Sequence, residues 1–440
     1  MSSPLRILLL GDLHLGRRPS RLGPALQDAG LDAGRFLPAR ALEDAAALAL
    51  QEEVDAVLFA GDVVDTNEDL YGPDSWPVLQ RQVERLTAAG IAVAGVAGNH
   101  DDLALPRLAE RVPGFRLLGR GGRWERWRIE GRDGAAAEVF GWSFPGRHHD
   151  RSPLEEALPE RDPAVAALGL LHADLVPAGT RSRYAPVQRA ELEAAGLDAW
   201  FLGHIHQPGE LSGPQPLGYL GNVLPLDPGE TGARGSWLVE VQGPGQMRAE
   251  LRPQARLRYE TAEARLEGEA AAGTSADELH AFLQDEARRV LDGCAPAPEL
   301  LVLRLRLVGE AASPRAVQEA LAELGESASL LFAEGESLVL VDRVIPDLRP
   351  RLDLEALAGG GAADLAGLLA RRLLALERGE EDRALLEEAA RHLDRLERNS
   401  WARQAAERPR DERRLLLAAG RLLLADLLAS KSGAAGEGGA

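Results

Sequence analysis

Eight side chains of metal-ligand type lie in five short clusters along the chain, and nearly every cluster falls where a predicted strand ends. Carboxylate and amide oxygens combined with imidazole nitrogens suit Mn²⁺, Fe²⁺ or Zn²⁺. Because the set contains more ligands than one ion requires, the sequence predicts a hydrolase with two metal ions. The clusters are Asp12 and His14 in Gly-Asp-Leu-His, Asp62 in Gly-Asp-Val-Val-Asp, Asn99 and His100 in Gly-Asn-His-Asp, His172 in Leu-His-Ala-Asp, and His204 and His206 in Gly-His-Ile-His.

The spacing inside the clusters fits this chemistry. The aspartate and histidine of the first cluster are two residues apart, so both can point to the same side as a strand ends. Asp62 has two oxygens that it can share between two ions. Asn99 offers a neutral amide oxygen, and the adjacent His100 can face the substrate instead, where it could protonate a leaving oxygen. His204 and His206 have the spacing that gives one imidazole to each of two adjacent ions.

Each cluster taken singly has an ordinary explanation. Asp12 and Asp62 could cap a turn or a helix after a strand, and a lone histidine such as His172 is usually a hydrogen-bonded core residue. It is improbable that all five clusters occur by coincidence in one order along one alternating pattern of strands and helices. The clusters together therefore favour a functional site. Four histidines fit no cluster and are predicted to lie on the surface: His148, His149, His280 and His392.

Composition limits the classes of protein that the chain can belong to. Its 440 residues predict two or three domains. The single cysteine, Cys294, excludes a disulfide framework and indicates a reducing cytoplasm. The apolar run before Gly11 predicts a first core strand and not a signal peptide, and no apolar stretch is long enough to cross a bilayer. The net charge of −19 argues against a stand-alone basic nucleic-acid-binding domain. Contact with nucleic acid would therefore require local arginine patches, bound metal or a partner.

The first 250 residues or so alternate short apolar runs with helical patterns. This alternation predicts a largely parallel sheet covered by helices on both faces. Ligands bind at the carboxyl ends of the strands in such sheets, which is where the clusters lie. The predicted strands are 6–10, 54–60, 91–97, 136–144, 168–171 and 199–202, followed by edge or second-sheet strands at 237–241 and 247–251, and the predicted helices are 39–53, 76–89 and 186–195.

From about residue 255 the pattern changes to a small α+β unit and then to helices. Apolar residues surround much of the last predicted helix, at 413–429, so either other helices or a partner must cover it. The Gly/Ala/Ser tail is predicted to be disordered. The predicted domains are a catalytic domain at 1–252, an α+β capping domain at 253–353, a helical partner-docking region at 354–430 and a tail at 431–440.

The order of the five motifs resembles the calcineurin-like metallophosphoesterase superfamily over roughly residues 5–240. The resemblance implies an α/β fold, a four-layer α/β/β/α sandwich, followed here by the small capping domain and the C-terminal helices. It also implies a catalytic role for His100 and attack on phosphorus by a water molecule between two divalent ions. The implied ligands are Asp12, His14 and His206 for one ion and Asn99, His172 and His204 for the other, with Asp62 bridging the two.

Within that superfamily, the chain is similar to DNA-repair exonucleases of the SbcD and YhaO kind. Thr66 and Asp101 stand where serine/threonine phosphatases have arginine and glutamate, and the segment 219–235 is similar to one that follows the last histidines of the exonucleases. The branch implies a Mn²⁺-dependent DNA nuclease, of the 3′–5′ exonuclease type, that acts in DNA repair. It also implies an SMC-like coiled-coil ATPase as partner, bound by the C-terminal helices, and a homodimer.

Two other functions remain open from the sequence. One is a small-molecule or nucleotide phosphodiesterase, which has little need of the long C-terminal region. The other is a non-catalytic scaffold, against which the complete ligand set counts. The C-terminal helices could equally form the core of a helical subdomain. Arginines beside the predicted site loops could hold phosphate, although a solvated face in an arginine-rich chain is the simpler explanation: Arg17, Arg18, Arg21, Arg181 and Arg183.

Overall fold

The computed structural model describes residues 4–22, 26, 30, 32–132, 134–267, 275–327, 330–359, 364–380, 383–396 and 411–436. The chain divides into two compact units whose segments alternate along the sequence. Unit 1 comprises Met1–Glu260, Val290–Leu303 and Leu331–Asp342, and unit 2 comprises Thr261–Arg289, Arg304–Leu330 and Arg343–Ala440. The predicted consecutive domains stay predictions.

The strands are numbered in chain order. They are β1 (Leu5–Leu10), β2 (Ala56–Phe59), β3 (Ala92–Gly95), β4 (Phe115–Leu117), β5 (Glu125–Glu130), β6 (Ala136–Trp142), β7 (Ala166–His172), β8 (Ala199–Gly203), β9 (Leu217–Tyr219), β10 (Gly235–Gly243), β11 (Gln246–Pro253), β12 (Leu257–Leu266), β13 (Leu300–Ala311), β14 (Leu331–Glu334) and β15 (Ser337–Pro350).

The helices follow the same order. They are α1 (Pro38–Gln51), α2 (Trp76–Ala88), α3 (Ala104–Arg111), α4 (Arg189–Ala194), α5 (Ala276–Asp292), α6 (Pro314–Ser327), α7 (Leu354–Ala358), α8 (Leu365–Glu377), α9 (Arg383–Leu396) and α10 (Glu412–Gly436).

Two sheets form the centre of unit 1. One has the strand order β11-β10-β1-β2-β3-β4 and is parallel from β1 to β4, and the other has the order β5-β6-β7-β8-β9 and is parallel from β6 to β9. Ile7 and Leu58 of the first sheet share one buried cluster with Val139, Leu168 and Phe201 of the second, so the sheets pack face to face.

Helices cover the outer face of each sheet. In β1 successive side chains alternate between the faces, so Ile7 faces the second sheet while Leu8 joins a cluster with Ala45 of α1 and Leu79 of α2. On the other side, Trp200 packs with Leu192 of α4. The layers are therefore α/β/β/α, and the predicted sandwich is confirmed.

Several elements differ from the sequence prediction. The helix predicted at 186–195 is α4 alone, because Gln188 is extended and forms a capping box with Glu191 at the start of the helix. β5 was not predicted, although its letters Glu-Arg-Trp-Arg-Ile-Glu alternate charged and apolar residues as a half-exposed strand does. Two three-residue strands, β4 and β9, are too short to give a periodic signal.

Strands and helices continue in the C-terminal part of the chain. β12, β13, β15 and β14 form a four-stranded sheet in that order, whose strands the unit boundaries cross. β14 and β15 pair antiparallel as a hairpin.

The C-terminal helices lie in unit 2. Leu373 of α8 and Leu424 of α10 belong to one buried cluster. α10 continues past its predicted end at residue 429, and residues 437–440 of the predicted tail lie outside the described residues. None of the helices in the described part of the chain is long and apolar enough to span a membrane. Large apolar side chains remain exposed on this region: Leu365, Leu368, Leu415, Leu422 and Leu423.

We predict that Gly169→Ala destabilises unit 1. A Cβ at Gly169 in β7 would lie 2.1 Å from Cε3 of Trp200, a fully buried ring whose Nε1 donates to the carbonyl oxygen of Leu192. Overpacking of this kind costs about 1–3 kcal/mol in the free energy of unfolding. Denaturant unfolding followed by tryptophan fluorescence measures the loss. Gly146→Ala is the control, because no atom lies within 4 Å of its added Cβ; equal midpoints for both variants would contradict the packing argument.

Candidate metal centre

The predicted ligands meet because they follow parallel strands whose carboxyl ends share an edge. Asp12, Asp62 and Asn99 follow β1, β2 and β3 of the first sheet, while His172 ends β7 and His204 follows β8 of the second. Neighbouring parallel strands end side by side, and face-to-face packing of the sheets brings the two edges together. The sandwich thus places ligands from both sheets around one centre.

The first group consists of Asp12, His14 and His206, and we call it position A. Their ligand atoms lie within 4.8 Å of one another, and the Nε2 atoms of the two imidazoles are 3.0 Å apart. The Nδ1 of His14 lies 2.9 Å from a carboxylate oxygen of Asp65, and that of His206 lies 2.6 Å from Glu230. Ionised carboxylates can only accept, so each Nδ1 donates and each Nε2 presents a lone pair. Two lone pairs at 3.0 Å require a positive charge between them, and position A therefore fits a metal ion.

The second group contains His172 and Asn99, which together with His204 we call position B. The Nδ1 of His172 donates to the carbonyl oxygen of Ala60 at 3.0 Å, so its Nε2 carries the lone pair. That Nε2 faces Asn99 Oδ1 at 3.1 Å and Asp62 Oδ2 at 3.4 Å. Three acceptors converge here without a donor, which again fits a cation.

Asp62 lies between the two positions. Its Oδ2 is 3.4 Å from Nε2 of His172 and 3.8 Å from Nε2 of His14, and its Oδ1 accepts from the backbone N–H of His100. Burial opposes ionisation, but the neighbouring histidines, His172 first, lower the pKa of the Asp62 carboxyl below its usual value. Asp62 is thus an anion with access to both positions, as a bridging ligand must be.

His204 enters the centre through its backbone as well as its ring. Its N–H donates to Asp12 Oδ1 at 2.9 Å, and its φ of 103° lies in the left-handed region that side chains rarely adopt. The ring lies 5.3 Å from the ring of His172 and 5.0 Å from that of Tyr184. Burial, followed by the neighbouring His172, lowers the pKa of His204 to about 4. The imidazole is therefore neutral at neutral pH and available as a ligand.

His100 is oriented differently from the other histidines. Its Nδ1 donates to the carbonyl oxygen of Asp65 at 2.7 Å, which leaves Nε2 for another partner. Its ring lies 5.1 Å from that of His14, and the side chain is half-buried. Asn99 and His100 therefore occupy different positions. Asn99 faces His172, whereas His100 lies at the accessible side of the cluster.

Two motif glycines are required by close contacts. A Cβ at Gly98 would lie 2.1 Å from Asp62 Oδ1, and one at Gly203 would lie 2.1 Å from the carbonyl oxygen of Ala60 and 2.8 Å from Nδ1 of His172. Any side chain at either position would displace a ligand or its hydrogen-bond partner. The glycine that precedes the ligand in these motifs therefore serves packing at the centre itself.

Sequence reasoning missed the side chains that hold the ligands in place. Asp65 and Glu230 anchor two imidazoles, as described above, and Asn222 donates to Glu230 at 2.7 Å. Asp101 accepts from the backbone N–H groups of Gly98 and Val63, which ties two ligand loops together. Burial, with the nearby Asp62, nevertheless raises the pKa of Asp101 to about 8. Asp65 and Asp101 lie within the motifs, whereas Asn222 and Glu230 are distant from them in the sequence, and only the fold shows which ligand each one contacts.

The predicted phosphate-binding arginines are placed unevenly. A guanidinium nitrogen of Arg17 lies 3.7 Å from Asp65 Oδ1, so Arg17 is linked to the centre through the partner of His14. Arg18, Arg181 and Arg183 are exposed, and no ion pair joins them to the cluster among the described residues. Only Arg17 therefore has a contact that connects it with the site.

The histidines outside the clusters are largely peripheral. His148 and His392 are exposed, as predicted. His149 is only half-buried, and its ring packs 5.0 Å from that of Trp142. His280 is also half-buried. None of these four side chains belongs to a ligand group in the described part of the chain.

The fold and the two ligand groups together form a candidate centre for two metal ions. Residues 5–208, a little under half of the chain, match the model of the calcineurin-like phosphoesterase family, so this part of the chain is similar to that family. The match supports the predicted superfamily, whereas the DNA-repair branch stays a prediction.

One curated relative is "Uncharacterized metallophosphoesterase YhaO" from Bacillus subtilis. It is 31% identical over 219 residues, which are 47% of this chain and 49% of the relative, so the match spans about half of that protein. Two similar solved structures are TT1561 of Thermus thermophilus, at 13% identity and a TM-score of 0.32, and a dimetal phosphatase from Danio rerio, at 14% and 0.34. They cover 57% and 56% of this chain and 99% of their own. At these scores nothing further is concluded from the likeness.

We predict that Glu230 stabilises the metal-free protein only above acidic pH. Burial is outweighed by hydrogen bonds from His206, Leu226 N–H and Asn222, which lower the pKa of Glu230 from 4.5 to about 2. A carboxyl whose pKa falls on folding contributes stability above pH 4.5 and loses it as the pH falls towards 2. The contribution is at most about 3 kcal/mol, since one pKa unit corresponds to 1.36 kcal/mol.

The test compares the unfolding free energies of wild type and Glu230→Gln in EDTA across this pH range. The difference should be largest between about pH 4.5 and 6.5, where Glu230 is ionised and its hydrogen-bond partner His206 is protonated, and it should shrink below pH 4.5. The exposed Glu210 lies in the loop that carries His206, and Glu210→Gln serves as the control for loss of a charge. A difference that does not change with pH would show that the Glu230 carboxylate has no such role.

Proposed function

We propose that the protein is a DNA nuclease that depends on two divalent ions, preferably Mn²⁺, and hydrolyses phosphodiester bonds as a 3′–5′ exonuclease. The observation that carries the proposal is the convergence of imidazole, carboxylate and amide lone pairs at positions A and B, in a chain segment that is similar to the calcineurin-like phosphoesterase family. When bound, divalent cations neutralise phosphate charge and make an attacking water molecule more acidic. Chemistry of this kind suits ester bonds to phosphorus.

The side chains divide the remaining tasks. His100 has its Nδ1–H fixed on the carbonyl oxygen of Asp65, so Nε2 is the atom that can give a proton to the leaving alkoxide. Gly98 and Asp101 hold the loop that carries His100, since Asp101 Oδ1 accepts from Gly98 N–H at 2.8 Å. Arg17 lies near Asp65 and adds a positive charge at this side of the centre. The phosphate would therefore lie between the ligand cluster and His100.

The choice of DNA as substrate is supported by the segment 219–235, which resembles the exonuclease branch. In the structure this segment supports position A directly. Glu230 binds His206, and Asn222 contacts both Glu230 and the buried Arg234, whose Nη2 donates to Gln207 at 2.9 Å. The residues that carry the resemblance are thus part of the metal centre. This link favours a nuclease over a small-molecule phosphodiesterase and over an inactive scaffold.

We predict that the purified protein with Mn²⁺ degrades end-labelled DNA and that His100→Ala reduces the rate by about 10²–10⁴-fold. Because His100 is not assigned as a ligand, the bound Mn²⁺ should stay close to the wild-type content. His392→Ala is the control, since this exposed histidine lies in α9. Mononucleotide release from a 3′ label ahead of a 5′ label would establish the polarity.

Single- and double-stranded DNA and an aryl phosphodiester would be compared in the same assay, with EDTA as a second control. Hydrolysis of the aryl diester beside intact DNA would move the assignment to a nucleotide phosphodiesterase. No hydrolysis of any substrate by protein that binds Mn²⁺ would favour the scaffold. Loss of metal from His100→Ala would show that His100 is itself a ligand.

We further propose that the C-terminal helices of unit 2 bind an SMC-like coiled-coil ATPase. Leu422 and Leu423 of α10 are 46% and 55% exposed, although each carries a large apolar side chain. Such positions suit an apolar protein interface. A homodimer, which the branch also implies, stays a prediction.

We expect Leu423→Arg to abolish co-elution with such an ATPase from the same organism in size-exclusion chromatography, because a charge would be buried at the interface. Ile345→Arg makes the same change at a side chain that is 43% exposed in β15, and it should leave binding intact. Equal loss in both variants, or in neither, would contradict docking through α10.

A further inference from the structure

The histidines of the two ion positions have different hydrogen-bond partners. At position A, Nδ1 of His14 donates to the Asp65 carboxylate at 2.9 Å, and Nδ1 of His206 donates to the Glu230 carboxylate at 2.6 Å. Both metal-binding imidazoles of position A are therefore paired with an anion.

Position B has neutral support. The Nδ1 of His172 donates to a backbone carbonyl, that of Ala60. The ring of His204 makes no hydrogen bond among the described residues and is held by ring contacts with His172 and Tyr184. The third ligand, Asn99, is a neutral amide, whereas the third ligand of position A is the carboxylate of Asp12.

This difference has a direct consequence for affinity. A carboxylate that accepts from Nδ1–H increases the electron density on Nε2 and fixes the ring in the orientation that binds the metal, and loss of such a partner typically weakens metal binding 10–100-fold. Position A also has two nearby carboxylates of its own, those of Asp65 and Glu230. Asp62 is available to both positions and does not distinguish them.

The Glu230 carboxylate is itself held rigidly. Its Oε2 accepts from Asn222 Nδ2 at 2.7 Å and from Leu226 N–H at 2.6 Å, and Asn222 Oδ1 in turn accepts from Nε of the buried Arg234. Oε1 is therefore left to His206 alone. A glutamine here would have to direct its NH₂ group either at these donors or at His206 Nδ1, and either choice disturbs the pair.

We propose that the two positions load in order: a divalent cation occupies position A first and tightly, and position B fills only at higher ion concentration. Asp65 and Glu230 are the positioning residues that create this difference. The inference rests on the two-metal centre of the proposed function, and it does not depend on DNA as the substrate.

The experiment titrates EDTA-treated, dialysed full-length protein with Mn²⁺ and follows binding by calorimetry and electron paramagnetic resonance. One equivalent should give the signal of isolated Mn²⁺, and the exchange-coupled signal of a pair should appear only with the second equivalent. Two equal sites would give a statistical fraction of doubly occupied protein at one equivalent of Mn²⁺. An exchange-coupled signal that reaches or exceeds this fraction would overturn ordered loading.

Variants assign the order to the two positions. Asp65→Asn is the first choice, because the Asp65 side chain is partly exposed and its described hydrogen-bond partner is His14. It should raise the dissociation constant of the tight step about 10–100-fold, and Glu230→Gln should do the same. Asn99→Ala should instead weaken the second step and leave the tight step intact. A tight step that is lost in Asn99→Ala and kept in Asp65→Asn would reverse the assignment.

Glu210→Gln is the matched control, since it removes one negative charge four residues after His206 from an exposed position. It should leave both steps unchanged. If it weakens the tight step as strongly as Glu230→Gln does, general charge and not the hydrogen bond to His206 sets the affinity, and the role of Glu230 is refuted. All of these readouts measure ion binding alone, so a protein that binds Mn²⁺ in order but leaves DNA intact would refute the nuclease and not the loading order.

Discussion

The candidate metal centre of unit 1 depends on a contact that is unfavourable between neutral groups, the close approach of lone pairs. The Nε2 atoms of His14 and His206 lie 3.0 Å apart, and Nε2 of His172 lies 3.1 Å from the amide oxygen of Asn99. Only the surrounding sandwich can hold such groups together before a cation arrives. Part of the cost is visible in the backbone, since His14, Asp62 and His204 have positive φ values, a state that costs about 1–3 kcal/mol for each residue.

The same arrangement bears on how an acidic protein could accept the anionic substrate that we propose. The chain has a net charge of −19, and the centre itself contains Asp12 and Asp62 with Asp65 and Glu230 directly behind the ligands. Without ions this concentration of carboxylates repels a phosphodiester, and two bound divalent cations would offset these four negative charges. For the proposed substrate, metal occupancy would therefore also be the condition for binding, and the ion concentration would control both metal binding and substrate binding.

The positions of the candidate ligands and the alternating α/β pattern could be predicted because both have local signals, whereas the four-layer sandwich was expected from the family resemblance. A strand followed by Gly-Asp or Gly-Asn can be recognised in the sequence, and the carboxyl ends of parallel strands are known to meet at one edge of the sheet. The supporting residues could not be predicted in the same way. Glu230 lies 24 residues after His206, and only the path of the chain through β9 and the following loop brings its carboxylate to the ring. The helix expected from residue 186 began later because Gln188 is extended at the capping box, which residue preferences alone do not show.

The alternation of the two units along the chain limits how this protein can be divided. Leu300, Val302 and Leu340 belong to the same buried cluster as Phe36 and Leu42, although they follow the metal ligands by about a hundred residues or more. A fragment that ends after β11 would expose apolar surface that these side chains cover in the intact protein. The segment up to β11 therefore lacks part of the buried core of unit 1. An exchange of C-terminal regions between relatives would have to preserve the strands beyond β11 that belong to unit 1.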